Sequence, residues 1–450
     1  MCGTGGAVTY AGGGVHVFAT GWRNWAGNQE ARPAKVVAPA DAAGVADAVM
    51  AAAAEGRRVK AAGSGHSFTG VAVTDGHLMR LDRMTDVVAV DPPTGLVTVQ
   101  AGMPIHRLNA VLAEHGLAMT NLGDVDRQTV SGAIATGTHG TGARFGGLAT
   151  QVHGLELVLA DGSFVRCSAD ERPEIFDAAR IGLGALGVVT ALTLRCEPAY
   201  LLRAVEEPMP LDRVLDGLDA FVDGNDHFEF YWFPHTKLAL TKRNNRVHED
   251  TPPQPVGAFR GWLDDEFLSN TVFGLVNRFC AAMPRLTPAV NNVSARALSA
   301  RTYVDASYRV FCSPRRVRFK EMEYALPRNA IRDVLREVDA WLRRSGELVP
   351  FPVEVRFAAA DDVWLSTAYE RESAYLAVHQ YHPLPHGRYF DAVERIAVAA
   401  GGRPHWGKLH SLDAAALAER HPRLADFVAV RDKLDPNRVF GNAYLDRVLG

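Results

Sequence analysis

Two glycine-dense loops in the first third of the chain constrain its fold more than any other feature. They are GSGHSF, from Gly63 to Phe68, and SGAIATGTHGTG, from Ser131 to Gly142. Glycine lets the backbone approach a ligand closely and adopt positive φ, so that exposed N–H groups can form an anion-binding concavity. Either loop alone is equally well explained as a tight turn. Together, and with His66 inside the first, they favour a site for a diphosphate.

The spacing of these glycines differs from the two commonest nucleotide-binding motifs. Neither loop has the pattern GxGxxG at a strand-to-helix junction, and the chain contains no GxxxxGK[ST]. The sequence therefore argues against a conventional NAD site or a P-loop.

Length and charge narrow the class of protein. The chain has 450 residues, about three times the typical domain size, so two or three domains are expected. The 48 lysines and arginines against 51 aspartates and glutamates leave a formal net charge of −3, so there is no large basic field for nucleic acid. Apolar residues at 47% and charged residues at 22% are typical of a folded globular chain and exclude disorder over most of the length.

No part of the sequence resembles a membrane span, a signal peptide or a disulfide framework. The longest alanine-rich run, residues 45–54, contains Asp47 and is shorter than the roughly 20 residues that a span needs. Residues 1–22 lack a basic stretch followed by a continuous apolar run. The five cysteines include Cys2, are widely spread and form no CxxC pattern. We therefore expect a reduced, cytoplasmic protein with no membrane span.

The first 200 residues predict a mixed α+β region rich in glycine, alanine and valine. Asp41 is expected to cap a helix that Gly56 closes, and a second helix is expected over 104–115. The strands expected in this region are 59–62, 96–100, 155–159 and 188–194.

The composition changes near residues 197–205, where we expect a domain boundary. Aromatic strands then begin at His227, Phe351 and Tyr375, a helix is expected over 330–344 with Asn329 as its N-cap, and the proline-rich segment 251–256 is expected to be a loop. The expected domains are residues 1–200, with 411–450 packing back on them, and residues 201–410. The chain contains no internal repeat.

Glu354 and Arg356 are two residues apart in the otherwise apolar strand VEVRF. Because strand side chains alternate between faces, both point to the same side of the sheet. A charged pair is costly to bury unless it is functional or mutually neutralised. The pair is therefore either part of a site or an internal salt bridge, and the residues alone leave both open.

Other polar residues are interpreted as structural. Two histidine pairs invite a metal interpretation: His379 with His382, and His405 with His410. Neither has HExxH spacing or a nearby carboxylate triad, so no metal site is predicted. Trp406 is expected to serve packing, and the basic dipeptides at 242–243 and 315–316 are expected to be solvated surface charge.

The motifs GSGHSF, NLGDVDRQTVSGAIATGTHGTG and GLGALGVVTALTL resemble those of the vanillyl-alcohol-oxidase type of FAD-binding proteins. WRNWAG from Trp22, EVR from Glu354, HWGK from His405 and the C-terminal DPNRVFGNAYLDRVLG are similar to motifs of the sugar-1,4-lactone oxidases and dehydrogenases and the related alditol oxidases. The resemblance covers residues 21–450. It implies an α+β fold, with a two-lobed PCMH-type FAD-binding domain and a substrate domain built on an antiparallel sheet flanked by helices.

The resemblance implies that FAD is the cofactor and that both glycine-rich loops hold it. Many members attach the flavin 8α-methyl group covalently to the histidine that matches His66, while other relatives keep this histidine without the bond. The residues that the resemblance places at the cofactor are Gly63, Ser64, Gly65, His66, Ser67, Phe68, Gly123, Asp124, Ser131, Gly132, Thr136, Gly137, Thr138, His139, Gly140, Gly142, Gly187 and Val188.

For catalysis, the resemblance implies that Glu354 and Arg356 face the flavin ring together with Lys408 and His379. Arg356 and Lys408 are expected to bind and polarise substrate oxygens, while Glu354 orients Arg356 or accepts a hydroxyl hydrogen bond. One of these four groups must take the alcohol proton as a hydride leaves carbon for flavin N5. Which of them does so stays open.

Two further positions bear on substrate and electron acceptor. In the family, a small residue at Gly123 favours access of dioxygen, although the actinobacterial dehydrogenases that resemble the chain also have glycine there. Asp124 departs from the serine with which alditol oxidases contact substrate, which favours a cyclic sugar or lactone. O2 or another compound is expected to accept the electrons.

The leading hypothesis is an FAD-dependent oxidoreductase acting on a secondary alcohol of an aldono-1,4-lactone of the gulono- or arabinono-lactone type. The alternative is an oxidase of an alditol or a sugar moiety in a tailoring pathway. A flavin-binding protein without turnover is a third hypothesis, against which Glu354, Arg356 and Lys408 argue together.

Overall fold

The computed structural model describes residues 21–450. The expectations for residues 1–20, including Cys2 and most of the segment examined for a signal peptide, lie outside the described residues. Three larger sheets organise the rest, and two short antiparallel pairs accompany them. The pairs are β1 (Trp22–Arg23) with β2 (Glu30–Ala31), and β8 (Leu117–Ala118) with β12 (Glu197–Pro198).

A small parallel sheet carries the first glycine-rich loop. Its strands are β3 (Lys35–Val37), β4 (Val59–Ala62) and β5 (His77–Arg80), in the order β3-β5-β4. Helix α1 (Ala42–Ala54) connects β3 to β4, and the Asp41 carboxylate caps it by accepting from Gly44 N–H. Gly56, at φ +65°, follows the helix, as expected for a glycine that ends one.

An antiparallel five-stranded sheet lies against the second glycine-rich loop. Its order is β10-β9-β11-β7-β6. The strands are β6 (Val87–Asp91), β7 (Leu96–Gln100), β9 (Val152–Val158), β10 (Phe164–Ser168) and β11 (Val188–Arg195). The helices of this part are α2 (Ile105–Glu114), α3 (Val130–Ala135) and α4 (Pro173–Ala179).

The largest sheet is antiparallel and has eight strands in the order β16-β13-β15-β14-β18-β19-β17-β20. The strands are β13 (Leu201–Pro210), β14 (His227–Trp232), β15 (Leu238–Arg246), β16 (Arg301–Ala306), β17 (Phe319–Pro327), β18 (Val353–Ala358), β19 (Ser373–Tyr381) and β20 (Arg403–Pro404).

Helices cover one face of this sheet. Helix α11 (Ile331–Ser345) places Ile331, Val334, Leu335, Val338 and Leu342 in the core, the spacing of one apolar helix face. Helices α5 (Leu211–Asp216), α6 (Leu218–Asp223) and α12 (Gly387–Ala399) contribute to the same core. The sheet therefore has one apolar face against helices and an opposite face free for other side chains.

The remaining helices lie at the periphery and at the C-terminus. They are α7 (Ala258–Gly261), a π-helix (Trp262–Val272), α8 (Phe273–Ala282), α9 (Thr287–Arg296), α10 (Ser307–Phe311), α13 (Ala414–Ala418), α14 (Leu424–Leu434) and α15 (Ala443–Leu449). The core that contains the five-stranded sheet also includes apolar side chains between Leu417 and Leu449.

Most of the expected elements are confirmed, with boundaries shifted by one to three residues. The segment 251–256 lacks helix and has only an isolated bridge from Gln254 to Val304. The expectation for Asn329 is wrong: residues 328–330 form a 3₁₀ turn, and the helix begins at Ile331 without a side-chain cap.

Within residues 21–450, no helix combines the length and apolarity needed to cross a bilayer. The four cysteines in that part of the chain, Cys167, Cys196, Cys280 and Cys312, are all free thiols.

Candidate active site

The uncovered face of the eight-stranded sheet carries a concentration of charged and polar side chains. In β18, Val353, Val355 and Phe357 enter the core against the helices, so the alternation of a strand sends Glu354 and Arg356 to the opposite face. The same alternation in neighbouring strands presents Glu229, Tyr231, Lys242, Glu321, Glu323 and His379.

Arg356 lies at the centre of the first charged cluster. Its guanidinium donates to Glu229 at 2.9 Å, contacts the Glu354 carboxylate, and lies 3.6 Å from Asp124. Only 10% of its side chain is exposed. Burial opposes its charge, but the carboxylates of Glu354, Glu229 and Asp124 together raise the pKa of Arg356 well above its usual range. Arg356 is therefore a buried, permanently charged donor.

Lys242 and Tyr231 complete this cluster from adjacent strands. Lys242 stands opposite Glu229 in the ladder, and its ammonium lies 3.1 Å from that carboxylate. The Tyr231 hydroxyl donates to Glu354 at 3.0 Å. The expectation that Lys242 is solvated surface charge is wrong, because the ladder register points it at a buried carboxylate.

Asp124 joins the cluster from the loop before the second glycine-rich segment. The Arg315 guanidinium donates to its Oδ2 at 3.0 and 2.7 Å. Burial raises the pKa of Asp124, but Arg315 and Arg356 outweigh it and hold that pKa well below its usual range. Arg315, expected to be surface charge, therefore fixes a charged side chain at the rim of the site.

Glu354 differs from the other carboxylates of this face. Burial raises its pKa, and the charges of Asp124 and Glu229 add to that rise, so the pKa of Glu354 stays above its usual range despite the adjacent Arg356. When ionised, a carboxylate with a raised pKa is a stronger base than carboxylates whose pKa is lowered.

The second charged cluster is built around Lys408. Its ammonium contacts Glu321 Oε2, and His379 Nε2 lies 3.6 Å from the same carboxylate. Burial lowers the pKa values of Lys408 and His379, but Glu321 outweighs burial and raises both. One carboxylate therefore favours the charged form of both groups.

Backbone hydrogen bonds fix the loop that carries Lys408. His405 N–H donates to Glu323 O at 3.0 Å, and Leu409 N–H donates to Glu321 O at 2.9 Å. Gly407 O accepts from Phe68 N–H at 2.7 Å. The loop is thus held between β17 and the first glycine-rich loop, which brings Lys408 beside both.

His139 and His405 form a buried group with Glu323. His139 Nε2 lies 3.1 Å from Glu323 and its Nδ1 lies 2.8 Å from Gly140 O. His405 Nδ1 accepts from Gly407 N–H while Nε2 faces Gly137 O at 3.1 Å. Ligand-type atoms of the three side chains lie within 4.8 Å of one another, but all four ring nitrogens already have protein partners.

Both clusters open onto one cleft. Glu321, Glu354, Arg356, His379 and Lys408 all line it. Gly123, Asp124, Phe68, Thr136, Thr138 and His139 also line it. The structure therefore brings the four expected catalytic residues together with part of the expected cofactor site.

A second cleft adjoins the first and lies between the two glycine-rich loops. His66, Ser67, Gln128 and Thr136 line both clefts. The expected cofactor residues that line the second cleft are Gly63, Ser64, Gly65, His66, Ser67, Ser131, Gly132, Thr136 and Gly187.

The second cleft has the properties that a dinucleotide diphosphate requires. The four consecutive backbone N–H groups of residues 64–67 donate to no acceptor in the described part of the chain. Such unpaired amides on a glycine-rich turn form an anion site. The first loop also packs closely on the residue that caps α3, just before the second loop: a Cβ on Gly63 would lie 2.3 Å from Thr129 Oγ1. The donors and shape of this cleft therefore fit FAD.

His66 lies where the two clefts meet. Its ring stacks on Trp25 with centroids 5.6 Å apart. Burial, and then the charge of Lys408, lower its pKa to about 4, so its imidazole is neutral at physiological pH.

Four expected cofactor residues line neither cleft. Gly142 N–H donates to Phe357 O at 2.8 Å and so ties the loop to β18. Gly140 packs against Leu122, where a Cβ would lie 2.3 Å from the carbonyl oxygen. Gly137, at φ +78°, turns the chain. Val188 points into the core, and strand alternation gives the cleft to Val189 instead.

Sequence reasoning missed Glu229, Lys242, Glu321 and Glu323. Glu321 and Glu323 are two residues apart in FKEMEY, the pattern that drew attention to Glu354 and Arg356. The same alternation argument would have found them.

Comparisons with known proteins agree with this geometry. The chain matches the family model for D-arabinono-1,4-lactone oxidase over residues 192–448 and that for an FAD binding domain over residues 33–168. FAD as the cofactor is therefore confirmed.

Curated relatives match along nearly the whole chain. It is 44% identical to L-gulono-1,4-lactone dehydrogenase of Mycobacterium tuberculosis, with 95% of this chain and 99% of the relative covered. It is 34% identical to L-gulonolactone oxidase of Bos taurus, with 95% and 98% covered. It is also 34% identical to an alditol oxidase of a Streptomyces species, with 96% and 100% covered.

Among solved structures, cholesterol oxidase of Brevibacterium sterolicum superposes with a TM-score of 0.83 at 17% identity, covering 97% of this chain and 98% of the other. At that identity the likeness shows the fold alone. Together with the FAD binding domain, it confirms the expected α+β fold of the vanillyl-alcohol-oxidase type.

Proposed function

Because this chain belongs to the D-arabinono-1,4-lactone oxidase family, we propose that it oxidises a secondary alcohol of an aldono-1,4-lactone of the gulono- or arabinono-lactone type. The resemblance inferred from the sequence motifs is confirmed by these matches, and so is the class of FAD-dependent oxidoreductases acting on CH–OH groups. The observation that carries the proposal is the cleft into which Arg356 and Lys408 both project as charged donors.

The two cations suit a neutral, polyhydroxylated ring. Arg356 and Lys408 come from different elements, and each is neutralised by carboxylates behind it. Such donors can bind hydroxyl and carbonyl oxygens of a lactone without leaving an uncompensated charge in the cleft. We assign substrate binding and polarisation to these two side chains.

We assign the role of proton acceptor to Glu354. Its raised pKa distinguishes it from Glu229, Glu321 and Asp124, whose pKa values are all lowered. The chemistry that FAD supplies when bound is acceptance of the hydride from the carbinol carbon. Glu354 takes the hydroxyl proton, and Arg356 holds the oxygen as it becomes a carbonyl.

The first cluster favours a lactone over an open-chain alditol. Asp124 stands where alditol oxidases have serine, and two arginines hold it in place. Its carboxylate is therefore a hydrogen-bond acceptor held in one position. A hydrogen bond to such a fixed acceptor favours binding of a rigid lactone ring more than binding of a flexible alditol chain.

We further propose that His66 is the point of covalent attachment to FAD and that dioxygen or another compound accepts the electrons. The neutral imidazole at the junction of the clefts supports the first. Gly123, which lines the substrate cleft without a side chain, supports access of dioxygen.

The placement in the cell and the division of the chain are also proposals. Free thiols at the four described cysteines suit a cytoplasmic enzyme. Apolar side chains between Leu417 and Leu449 that share the first core support a unit of residues 1–200 and 411–450 that holds FAD. Residues 201–410 would then form the substrate unit.

The test is anaerobic reduction of the visible flavin spectrum by a panel of aldonolactones, alditols and free sugars, followed by admission of air. Bleaching by a lactone with rapid recovery in air is the expected result for an oxidase, and bleaching without recovery identifies a dehydrogenase. Bleaching by alditols alone, or by no member of the panel, would overturn the lactone proposal.

A further inference from the structure

The helical segment 258–296 has most of its large apolar residues on the outside. Of the twelve large apolar side chains that are exposed in residues 21–450, nine lie between Phe259 and Val293. Isolated exposed apolar residues are ordinary, but a concentration of this kind marks an interaction surface. We call the outward apolar side chains from Phe259 to Val293 the apolar face.

The side chains of the apolar face are contiguous. Phe259, Trp262 and Phe267 form a ladder of rings with centroids 6.2 and 5.6 Å apart. Leu268 of the π-helix is exposed next to Phe267. In α8, Leu275 and Phe279 are four residues apart and both are exposed, so they lie on one side of that helix.

The fully buried positions of the same helices are polar or small, unlike those of an ordinary surface helix, and half-buried Phe273 packs inward on Phe351 with ring centroids 4.8 Å apart. The residues that the π-helix, α8 and α9 bury are Asn270, Asn277, Cys280, Thr287, Asn291 and Ala295. None of them is a large apolar residue.

Asparagines attach the segment to the body of the protein by hydrogen bonds. Asn291 donates to Pro234 O at 3.0 Å and to Val349 O at 2.9 Å, and Asn270 donates to Pro314 O at 3.1 Å. These bonds hold the segment to the body of the protein through polar groups, while most of its large apolar side chains face outward.

Within the described part of the chain, the unpaired charges of the segment are all positive. Residues 267–304 contain no aspartate or glutamate. Arg278, Arg285 and Arg296 are exposed there, and none of the three has a carboxylate partner within residues 21–450. The acidic residues immediately before this stretch, 264–266, are all paired with arginines.

Exposed aromatic and aliphatic side chains interleaved with arginines are the composition of a helix that lies in the interface of an anionic bilayer. A second copy fits less well, because a two-fold contact through the same face would set its arginines against each other. We propose that the apolar face docks the protein on an anionic phospholipid surface. The inference goes beyond the proposed function, and its test does not depend on turnover.

Docking on this face places the active-site cleft near the lipid. Ser269, Asn270 and Phe273 line that cleft and belong to the same continuous helix whose outer side is apolar. The cleft and the lipid surface would then be separated by about one helix diameter, roughly 10 Å.

The test is co-sedimentation of the FAD-loaded protein with vesicles of phosphatidylcholine alone or with about one-third phosphatidylglycerol. We expect binding to the anionic vesicles only, weakened by added salt. Replacing Arg278, Arg285 and Arg296 by glutamine should lower the affinity on the order of 100-fold, since each arginine near an anionic surface accounts for about fivefold. The matched control replaces Arg32, Arg57 and Arg395, which are exposed elsewhere, and should bind as the wild type does.

The contribution of apolar side chains to vesicle binding is tested with the double variant Trp262→Ser/Phe279→Ser. The control is Phe164→Ser, because Phe164 lies outside the segment and is 60% exposed. Absence of binding to anionic vesicles, or equal loss in control and test variants, would overturn the proposal. So would a wild-type dimer in analytical ultracentrifugation that Trp262→Ser/Phe279→Ser converts to monomer without any vesicle binding, because a second copy would then cover the face.

Discussion

Replacing Lys408 by methionine, alone and together with Glu321→Gln, separates a catalytic role of this lysine from a structural one. Lys408 and Glu321 form a buried ion pair, with 23% and 7% of their side chains exposed. The single change leaves the Glu321 carboxylate buried without its ammonium partner. The double change removes both charges and leaves two neutral side chains of similar size.

The single and double variants should differ in unfolding free energy but not in turnover. Breaking a buried pair by removing one partner costs about 3–5 kcal/mol of unfolding free energy. We expect the lower end for Lys408→Met, because His379 still lies 3.6 Å from Glu321. The double variant should return to within about 1 kcal/mol of the wild type. Turnover should fall at least roughly 10²-fold in both, which is about 2.7 kcal/mol of transition-state stabilisation.

The assay pairs urea unfolding, followed by fluorescence, with anaerobic reduction of the bound flavin by stopped flow. Flavin content is measured first, so that loss of cofactor is not counted as loss of turnover. If the double variant regains activity together with stability, Lys408 only neutralises Glu321, and its assignment to substrate oxygens is refuted.

Three other substitutions test separate parts of the site. His66→Ala should retain the fold but release all flavin into the supernatant after acid precipitation, whereas wild-type protein should keep its colour in the pellet; a colourless wild-type pellet contradicts covalent attachment. Wild-type kcat/KM should decline as pH falls through the raised pKa of Glu354, because protonation removes the base. In Glu354→Gln this acidic limb of the pH profile should disappear, and the rate should fall at least roughly 10²-fold. An unchanged acidic limb would assign the titration to another group. In Gly123→Ala the new Cβ would lie 3.1 Å from His139 O, so reoxidation in air should slow about tenfold or more while anaerobic reduction stays near normal; equal reoxidation rates would show that Gly123 does not control access of dioxygen.

The sequence alone predicted an anion-binding site at the glycine-rich loops because the chemistry of such a site is local. Residues 64–67 present consecutive backbone N–H groups that are unpaired within residues 21–450. A glycine-rich segment indicates this capacity for anion binding from its sequence alone. The Glu354 and Arg356 pair was visible for a similar reason, since strand alternation places residues two apart on one face. Asn329 shows the limit of local signals: a good capping residue did not cap, because residues 328–330 form a 3₁₀ turn before the helix begins.

The neighbours of the proposed catalytic groups depended on the tertiary structure. Strand alternation states which face a side chain takes, but not which strands lie beside it. The register of the eight-stranded sheet sets Glu229 opposite Lys242, although the spacing along the chain gives no sign of that pairing. The tertiary structure also decided which charged residues form buried ion pairs and which lie at the surface. It likewise decided that the apolar face of 258–296 points outward. Burial is a property of how distant segments pack, because the free energy of an exposed or buried side chain depends on what covers it.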